Sequence, residues 1–255
     1  MKRVLGFLIC GFLVFSSVSK AEDEVMLQYS HSTLNAGYSS WNDVNILNYL
    51  NVQTDHQFVI ETDYKNRFGE SGLLAAMNYT DTYSPEWYQD FSVTASTNSN
   101  ILPAWLVFSE IHRKFLGQKN LVAGIGLGYV ATHDPYTDIN GLAEATYFFE
   151  HNFSFEGGIR FNRSNPGSVF TVRGFGVLSY LYDSRIEAAL KLEAGREGYT
   201  IVGANQFVNE FSSKEESLQV RYWWSPRWGT SLNFDFYQSA FYDRNEIALA
   251  VLMKY

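Results

Sequence analysis

The sequence NEIALAVLMKY, residues 245–255, ends the chain and alternates between two kinds of side chain. Every second residue from Ile247 to Tyr255 is apolar or aromatic, whereas the residues between them are mostly small or charged. Because successive side chains of a β-strand point to opposite faces of the sheet, this alternation predicts a strand with one continuous apolar face. Such a strand at the end of the chain needs a pairing partner on each side, which a closed sheet provides.

The start of the chain predicts export from the cytoplasm. Lys2 and Arg3 precede an apolar run over 4–15, and small residues complete the segment 1–21. This order is typical of a secretory signal peptide, so we expect that segment to be cleaved and residues 22–255 to form a single mature domain. The apolar run is well short of the roughly 20 residues that a transmembrane helix needs.

The composition narrows the classes of partner. The chain has 27 Asp and Glu against 19 Lys and Arg, a formal net charge of −8, which argues against nucleic acid and against an anionic lipid surface. Cys10 is the only cysteine and lies in the predicted signal peptide, so we expect no disulfide in the mature domain. Aromatic residues make up 17% of a chain whose mean hydropathy is −0.17, as expected of strands that face lipid on one side and water on the other.

After residue 23 the sequence reads as long alternating strands. We predict about fourteen strands, or about twelve if two weak early strands are loops. The predicted strand ranges are 24–34, 43–53, 57–66, 71–82, 87–97, 104–116, 120–131, 139–150, 153–163, 169–182, 185–196, 215–225, 228–239 and 244–255. Short and longer connections alternate, and 67–70 and 197–214 are among the longer ones. Outer-membrane barrels have short periplasmic turns and longer extracellular loops, so both termini are expected on the periplasmic side.

Two features favour a membrane barrel over a soluble β-sandwich. The predicted strands run to about 11–13 residues, whereas strands of soluble proteins usually have about 5–6. Aromatic residues recur near strand ends, as in the interfacial girdles of membrane barrels. These residues are Trp105, Phe115, Tyr129, Phe149, Tyr182, Trp224, Trp228 and Tyr255. The predicted fold class is therefore all-β, a closed antiparallel transmembrane β-barrel.

The closing strand resembles the last strand of outer-membrane β-barrels, in which an apolar alternation ending on an aromatic residue also serves as the insertion signal. The residues that would form this signal are Ile247, Leu249, Val251, Met253 and Tyr255. The resemblance implies the barrel-assembly machinery as a partner during insertion, and outer-membrane lipid and lipopolysaccharide as partners afterwards.

A second resemblance concerns a series of short motifs. They are Gly195-Arg196, Ser217-Leu218-Gln219-Val220-Arg221, Pro226, Leu232-Asn233 and Tyr242-Asp243. In their order and spacing the chain resembles the YaiO-type outer-membrane β-barrel family, with weaker correspondence over 22–255. The resemblance implies the cell outer membrane of a Gram-negative bacterium, looser ties to exopolysaccharide secretion systems, and no catalytic motif. We therefore expect a pore or accessory of envelope transport rather than an enzyme, with a saccharide as cargo and secretion-system components as partners.

The inward faces of the predicted strands carry many charges of both signs. The predicted pore-lining residues are Glu61, Asp63, Lys65, Glu110, His112, Glu144, Glu156, Arg160, Arg173, Glu187, Lys191, Glu193, Arg221 and Asp235, with Lys114 and Lys254 on the same face. One interpretation is a pore lining of nearly balanced charge that suits neutral sugars. The other is an interior ion-pair network in a closed structural or receptor barrel. A barrel of this size lies between the filled eight-stranded barrels and the open porins, so its size does not decide between the two interpretations.

An enzyme acting on envelope lipid at the barrel rim is the alternative from a different class. The histidines are His31, His56, His112, His133 and His151, and their spacing matches no zinc motif. His133 with Asp134, on a predicted extracellular loop, is the best catalytic candidate, whereas His112 is expected to form a polar pair with Glu110. We expect no catalytic residues, cofactor or metal. Acids that could instead hold Ca²⁺ at the extracellular rim are Asp134, Asp138, Glu215, Glu216 and Asp243.

Three glycines, Gly124, Gly126 and Gly128, alternate along one predicted strand. Their period of two excludes a dinucleotide-binding fingerprint, which needs a strand-to-helix turn. Because they point inward, they should either widen the lumen or accept a bulky side chain from across the barrel. The candidates for that side chain are Phe148, Phe175 and Trp223.

Overall fold

The computed structural model describes residues 3–4, 23–35, 37–53, 55–98, 100–132, 136–202 and 208–255. Most of the predicted signal peptide, 1–21, therefore lies outside the described residues, as do His133 and Asp134. Within that peptide a two-residue strand, Arg3–Val4, pairs with residues 201–202. None of the helices in the described part of the chain has the length and apolar character needed to cross a membrane.

The described residues from Glu24 to Lys254 form an antiparallel β-barrel of fourteen strands, as predicted. The strands are β1 Glu24–Leu34, β2 Trp41–Gln53, β3 His56–Arg67, β4 Glu70–Asp81, β5 Trp87–Ser96, β6 Trp105–Phe115, β7 Leu121–Ala131, β8 Thr137–Phe148, β9 Phe153–Asn165, β10 Val169–Tyr182, β11 Ile186–Val202, β12 Val208–Trp223, β13 Trp228–Ser239 and β14 Asp243–Lys254. A short 3₁₀ helix, Glu150–Asn152, connects β8 to β9.

The last strand closes the barrel against the first. Ile247 lies opposite His31 and Lys254 opposite Glu24, and the backbone N–H of Tyr255 donates to the carbonyl of Asp23 at 3.0 Å. Every barrel strand therefore has a partner on both sides, which leaves no unpaired edge for lipid to meet. Both ends of the barrel domain lie at one rim, which we call the terminal rim; the opposite end is the distal rim.

The closing strand has the two faces that its sequence predicts. Ala248 and Ala250 are buried inside the barrel, whereas Ile247, Leu249 and Val251 are exposed on its outside. Each of the remaining barrel strands also exposes large apolar side chains on its outer face. The outward rings of Trp105 and Tyr129 stack near the distal rim. This outer apolar surface is what a lipid environment requires of a barrel.

Two predicted long connections are wrong. Most of 197–214 is strand, because β11 and β12 continue to pair with each other as far as Thr200 and Val208. The turn between β3 and β4 contains only Phe68 and Gly69, both with positive φ. The glycine, serine and asparagine content of these segments is typical of loops, but pairing with a neighbouring strand overrides such local preferences.

Buried side chains form three clusters inside the described part of the barrel. At the distal rim a cluster is formed by Trp41, Phe211, Tyr237 and Tyr242, which we call the distal aromatic cluster. At the terminal rim a second cluster contains Met26, Leu47, Val59, Trp223, Ala250 and Leu252. Both clusters draw on strands near the β14–β1 junction, and a third cluster, on β8, β10 and β11, contains Leu142, Phe175, Val177 and Ala189.

The wall formed by β4 and β5 carries several smaller inward side chains. Ala76 and Asn78 on β4, and Ser92 and Thr94 on β5, face inward and are only partly buried. The β5–β6 loop turns into the distal opening above them, where Leu102 lies against Gly72. We call the inward surface of β4 and β5 the open face.

Candidate functional site

The charged interior is the candidate functional site, and its predicted residues all lie on inward faces of the strands. The acidic ones are Glu61, Asp63, Glu110, Glu144, Glu156, Glu187, Glu193 and Asp235, and the basic ones are Lys65, His112, Arg160, Arg173, Lys191 and Arg221. The alternation of exposed and covered positions along each strand places them there. Their function as a pore lining stays a prediction.

On β2 and β3 the charges form a compact group. Lys65 Nζ lies 2.9 Å from Asp63 Oδ2 and 3.8 Å from Asp43 Oδ2, and Arg67 also pairs with Asp43. Asn45 donates to Glu61 Oε1 at 2.7 Å. The sequence analysis missed Asp43 and Arg67 because they lie at strand ends, although both share the inward period of their strands.

A second group joins β9 to β12. Arg173 lies 3.1 Å from Glu193, 3.0 Å from Glu197 and 3.6 Å from Glu215. Lys191 Nζ lies 2.9 Å from Glu193 and 3.0 Å from Glu215. Arg160 approaches Glu193 from β9 at 3.9 Å. Opposite charges therefore alternate along the wall, which offsets the cost of placing each charge inside the barrel.

The prediction that Glu215 belongs to an extracellular Ca²⁺ site is wrong, because Glu215 pairs with Arg173 and Lys191 inside the barrel. Glu216, the next residue, is exposed on the outer face, and the Asp243 carboxylate accepts a hydrogen bond from Asn35 at 2.7 Å. Asp138 lies inside on β8. The acids described here are thus distributed over two faces and do not form one site.

The charges near the β14–β1 junction reach across several strands. Arg221 on β12 lies 3.6 Å from Glu24 on β1 and 3.8 Å from Glu187 on β11. Lys254 Nζ lies 4.4 Å from the centre of the Trp223 ring. Arg244, which the sequence analysis did not select, is fully buried and pairs with Asp235.

The inward glycines have a different neighbour from the predicted ones. A Cβ atom added to Gly126 or Gly128 would lie 2.5 or 2.4 Å from the Phe108 ring, on the adjacent strand β6. The prediction of a ring from across the barrel is therefore wrong for these two positions. Lateral packing is possible because inward side chains of neighbouring strands lie only about 5 Å apart.

The histidines are distributed over several environments. His31 faces outward and hydrogen-bonds Asn42 at 2.9 Å. His56 lies at the terminal rim, 3.2 Å from Asp81, and His151 belongs to the 3₁₀ helix at the same rim. His112 is buried inside the barrel, with the Tyr88 ring stacked on it at 4.3 Å.

The fold and the charged interior define an integral outer-membrane β-barrel protein. Residues 22–200 match the family model described as the YaiO membrane beta barrel domain, so the chain belongs to the YaiO family. The match ends before Ser217, so most of the motifs that carried the sequence resemblance lie beyond it. No curated protein matches the chain.

Several solved structures share the fold at low sequence identity. A bacterial polysaccharide outer membrane secretin has a TM-score of 0.59 and 7% identity, over 92% of this chain and 98% of its own. Omp33 of Acinetobacter baumannii has a TM-score of 0.56 and 10% identity, over 92% and 99%. An outer membrane channel from Pseudomonas putida F1 has a TM-score of 0.54 and 7% identity, over 94% and 97%. At these identities the likeness concerns the barrel fold, and it agrees with a location in the outer membrane of a Gram-negative bacterium.

Proposed function

We propose that the protein is an envelope channel through which a neutral, hydroxyl-rich solute passes, with a saccharide as cargo. The observation that carries this proposal is the open face, where Ala76, Asn78, Ser92 and Thr94 present small and mostly polar side chains to the lumen. Small side chains leave space for a solute, and amide and hydroxyl groups exchange hydrogen bonds with sugar hydroxyls and with water.

The arrangement of the charges supports a neutral cargo. The ion pairs described above join residues of opposite sign along the wall, so these groups carry little net charge; the carboxylates of Asp90, Glu110, Glu144 and Glu156 are the exception. A charged solute would gain little from such a wall, whereas an uncharged one meets no electrostatic barrier. The polysaccharide secretin that shares the fold is consistent with a saccharide cargo. The proposed function is transport and not catalysis, with lipopolysaccharide around the barrel and the assembly machinery as partners.

Conductance of the purified protein in planar lipid bilayers tests the proposal. We expect discrete conductance steps in KCl and swelling of protein-containing liposomes in a small neutral sugar. The Leu102→Ser variant should conduct more than wild type, because Leu102 extends into the distal opening. The outward variant Leu73→Ser is the control, since Leu73 is exposed on the lipid side. Absence of conductance and of swelling in all three proteins would contradict a channel.

A closed structural or receptor barrel is the second candidate. It is favoured by the clusters of buried side chains inside the barrel, which include Trp41 at the distal rim and Leu252 at the terminal rim. The same bilayer experiment separates the two functions. A closed barrel would give no steps in wild type, and conductance would appear only when the side chains that fill the interior are truncated.

A further inference from the structure

Four ionisable side chains from three strands meet inside the barrel. They are Asp90 on β5, Glu110 and His112 on β6, and Glu144 on β8. His112 Nε2 lies 3.0 Å from Asp90 Oδ2 and 3.7 Å from Glu110 Oε1. One ligand atom from each of Glu110, His112 and Glu144 lies within 4.8 Å of the other two.

Gly124 creates the space in which these groups meet. It lies between His112 and Glu144 in the sheet, opposite His112 on one side and Glu144 on the other. A Cβ atom at this position would lie 2.6 Å from His112 Nδ1 and 2.8 Å from Glu110 Oε1. Any residue other than glycine would therefore occupy the space between the imidazole and the carboxylates.

Carboxylates outnumber the cations that act on them in this cluster, because Asp90, Glu110, Glu144 and Glu156 share His112 and Arg160. Glu110 is 9% exposed and His112 is 5% exposed, and Glu110 Oε1 is a buried oxygen without a hydrogen-bond partner among the described residues. Glu156 adds another carboxylate on β9. Lys114 lies over the Tyr88 ring at 5.4 Å, whereas Arg160, which also lies over the Phe175 ring at 4.6 Å, acts electrostatically on Glu110, Glu144 and Glu156. A buried carboxylate oxygen without a donor is costly unless a cation binds it.

We propose that Glu110, His112 and Glu144, with Asp90 beside them, bind a divalent first-row transition metal ion, for which Zn²⁺ is the probe. One imidazole nitrogen with carboxylate oxygens is a donor set that suits Zn²⁺, whose bonds to such ligands are about 2.0–2.2 Å long. Bonds of that length place ligand atoms about 3–4 Å apart, so small rotations of the carboxylates bring the three side chains to the required distances. The site does not depend on whether the lumen conducts.

The spacing of these residues along the sequence does not identify them as metal ligands. His112 and Glu110 are two residues apart, but Glu144 comes from a strand on the other side of Gly124. The ligand set therefore follows from the register of three strands, which explains why the sequence analysis predicted no metal. The glycine alternation of β7 marks the position but does not identify its ligands.

The test is Zn²⁺ binding to the refolded full mature barrel in detergent, after chelator treatment and dialysis, measured by isothermal titration calorimetry. We expect one tight site in wild type, and binding on the order of 10–100 times weaker in Glu144→Gln and in Gly124→Ala. Glu61→Gln is the matched control, because Glu61 is also an inward carboxylate but lies on β3. Folding of each variant is checked by heat-modifiable migration in gel electrophoresis.

X-ray absorption at the zinc edge of the wild-type complex keeps the test independent of variant folding. We expect nitrogen and oxygen ligands with one imidazole. A wild-type affinity equal to that of Glu144→Gln and Gly124→Ala, or a zinc environment without imidazole, would overturn the proposal and leave His112 as a partner of Asp90 alone.

Discussion

Gly195 lies at the point where β11 stops pairing with β10 but continues to pair with β12. Gly195 pairs with Arg173 on β10, and this is the last pair between β10 and β11 towards the distal rim. Beyond Gly195, β11 continues to pair with β12 as far as Thr200 and Val208. The φ angle of Gly195 is 155°, and a Cβ atom there would lie 2.3 Å from the carbonyl oxygen of Val172 and 2.6 Å from the Cα of Arg173. Because both neighbours are backbone atoms, they cannot move aside as a side chain would.

We therefore expect Gly195→Ala to destabilise the barrel strongly. A backbone angle that only glycine adopts readily costs about 1–3 kcal/mol with any other residue, and forcing an extra methyl group into packed structure costs about 1–3 kcal/mol more. Reduced freedom of the unfolded chain returns about 0.4–1 kcal/mol. The expected net loss in the free energy of unfolding is about 2–5 kcal/mol.

Gly174→Ala is the matched control on the neighbouring strand. A Cβ atom at Gly174 would have its nearest contact at 3.9 Å, and Gly174 is not among the positive-φ glycines. Its free energy of unfolding should change by no more than about 1 kcal/mol, in the stabilising direction if at all. Urea unfolding in lipid vesicles, followed by tryptophan fluorescence and heat-modifiable migration, measures both variants. Equal midpoints for the two alanine variants would refute the assignment of strain to Gly195.

Three further changes test other parts of the molecule. Tyr255→Asp should leave the chain unassembled in the periplasm, and a normal heat-modifiable band in the outer-membrane fraction would contradict the insertion role of the last strand. Trp41→Ala should lower the free energy of unfolding by about 3–5 kcal/mol in the same urea assay, because the side chain is buried in the distal aromatic cluster. In an open lumen, Arg173→Ser with Arg221→Ser should shift the reversal potential in a KCl gradient towards cation preference, whereas the exposed Arg163→Ser should leave it unchanged. No difference between the double variant and Arg163→Ser would exclude these arginines from the permeation path.

The sequence predicted the barrel because lipid imposes a local rule on every strand. β1, β10 and β13 have the predicted bounds, and in each strand the exposed side chains fall on alternate residues. The same rule predicted which charges face inward. Burial of every second side chain is a property of one strand and needs no knowledge of its neighbours.

What the sequence could not predict depends on register between strands. The continuation of β11 and β12 through a loop-like segment, the contact of Phe108 with two glycines, and the meeting of His112 with Glu144 all require one strand to be placed against another. Register in a closed sheet follows from the stagger of the whole barrel, which no local pattern contains. Arg244 was missed for a simpler reason, since strand ends are the least certain part of an alternation.

Apolar packing near the β14–β1 junction supports the pairing that closes the barrel. Pairing the last strand with the first joins residues more than 200 positions apart, such as Ser32 and Glu246, whose side chains hydrogen-bond at 2.6 Å. Closing so long a loop costs conformational entropy before any contact offsets it. The buried side chains of Met26 and Leu252 lie at this junction, and Trp223 packs with them from β12. Burial of each large apolar side chain contributes roughly 1.5–3 kcal/mol, so the packing stabilises the one pairing that the chain order does not favour. In the described part of the chain, β4 and β5 pair with sequence neighbours and contribute to none of the three buried clusters, which leaves the open face available to a solute.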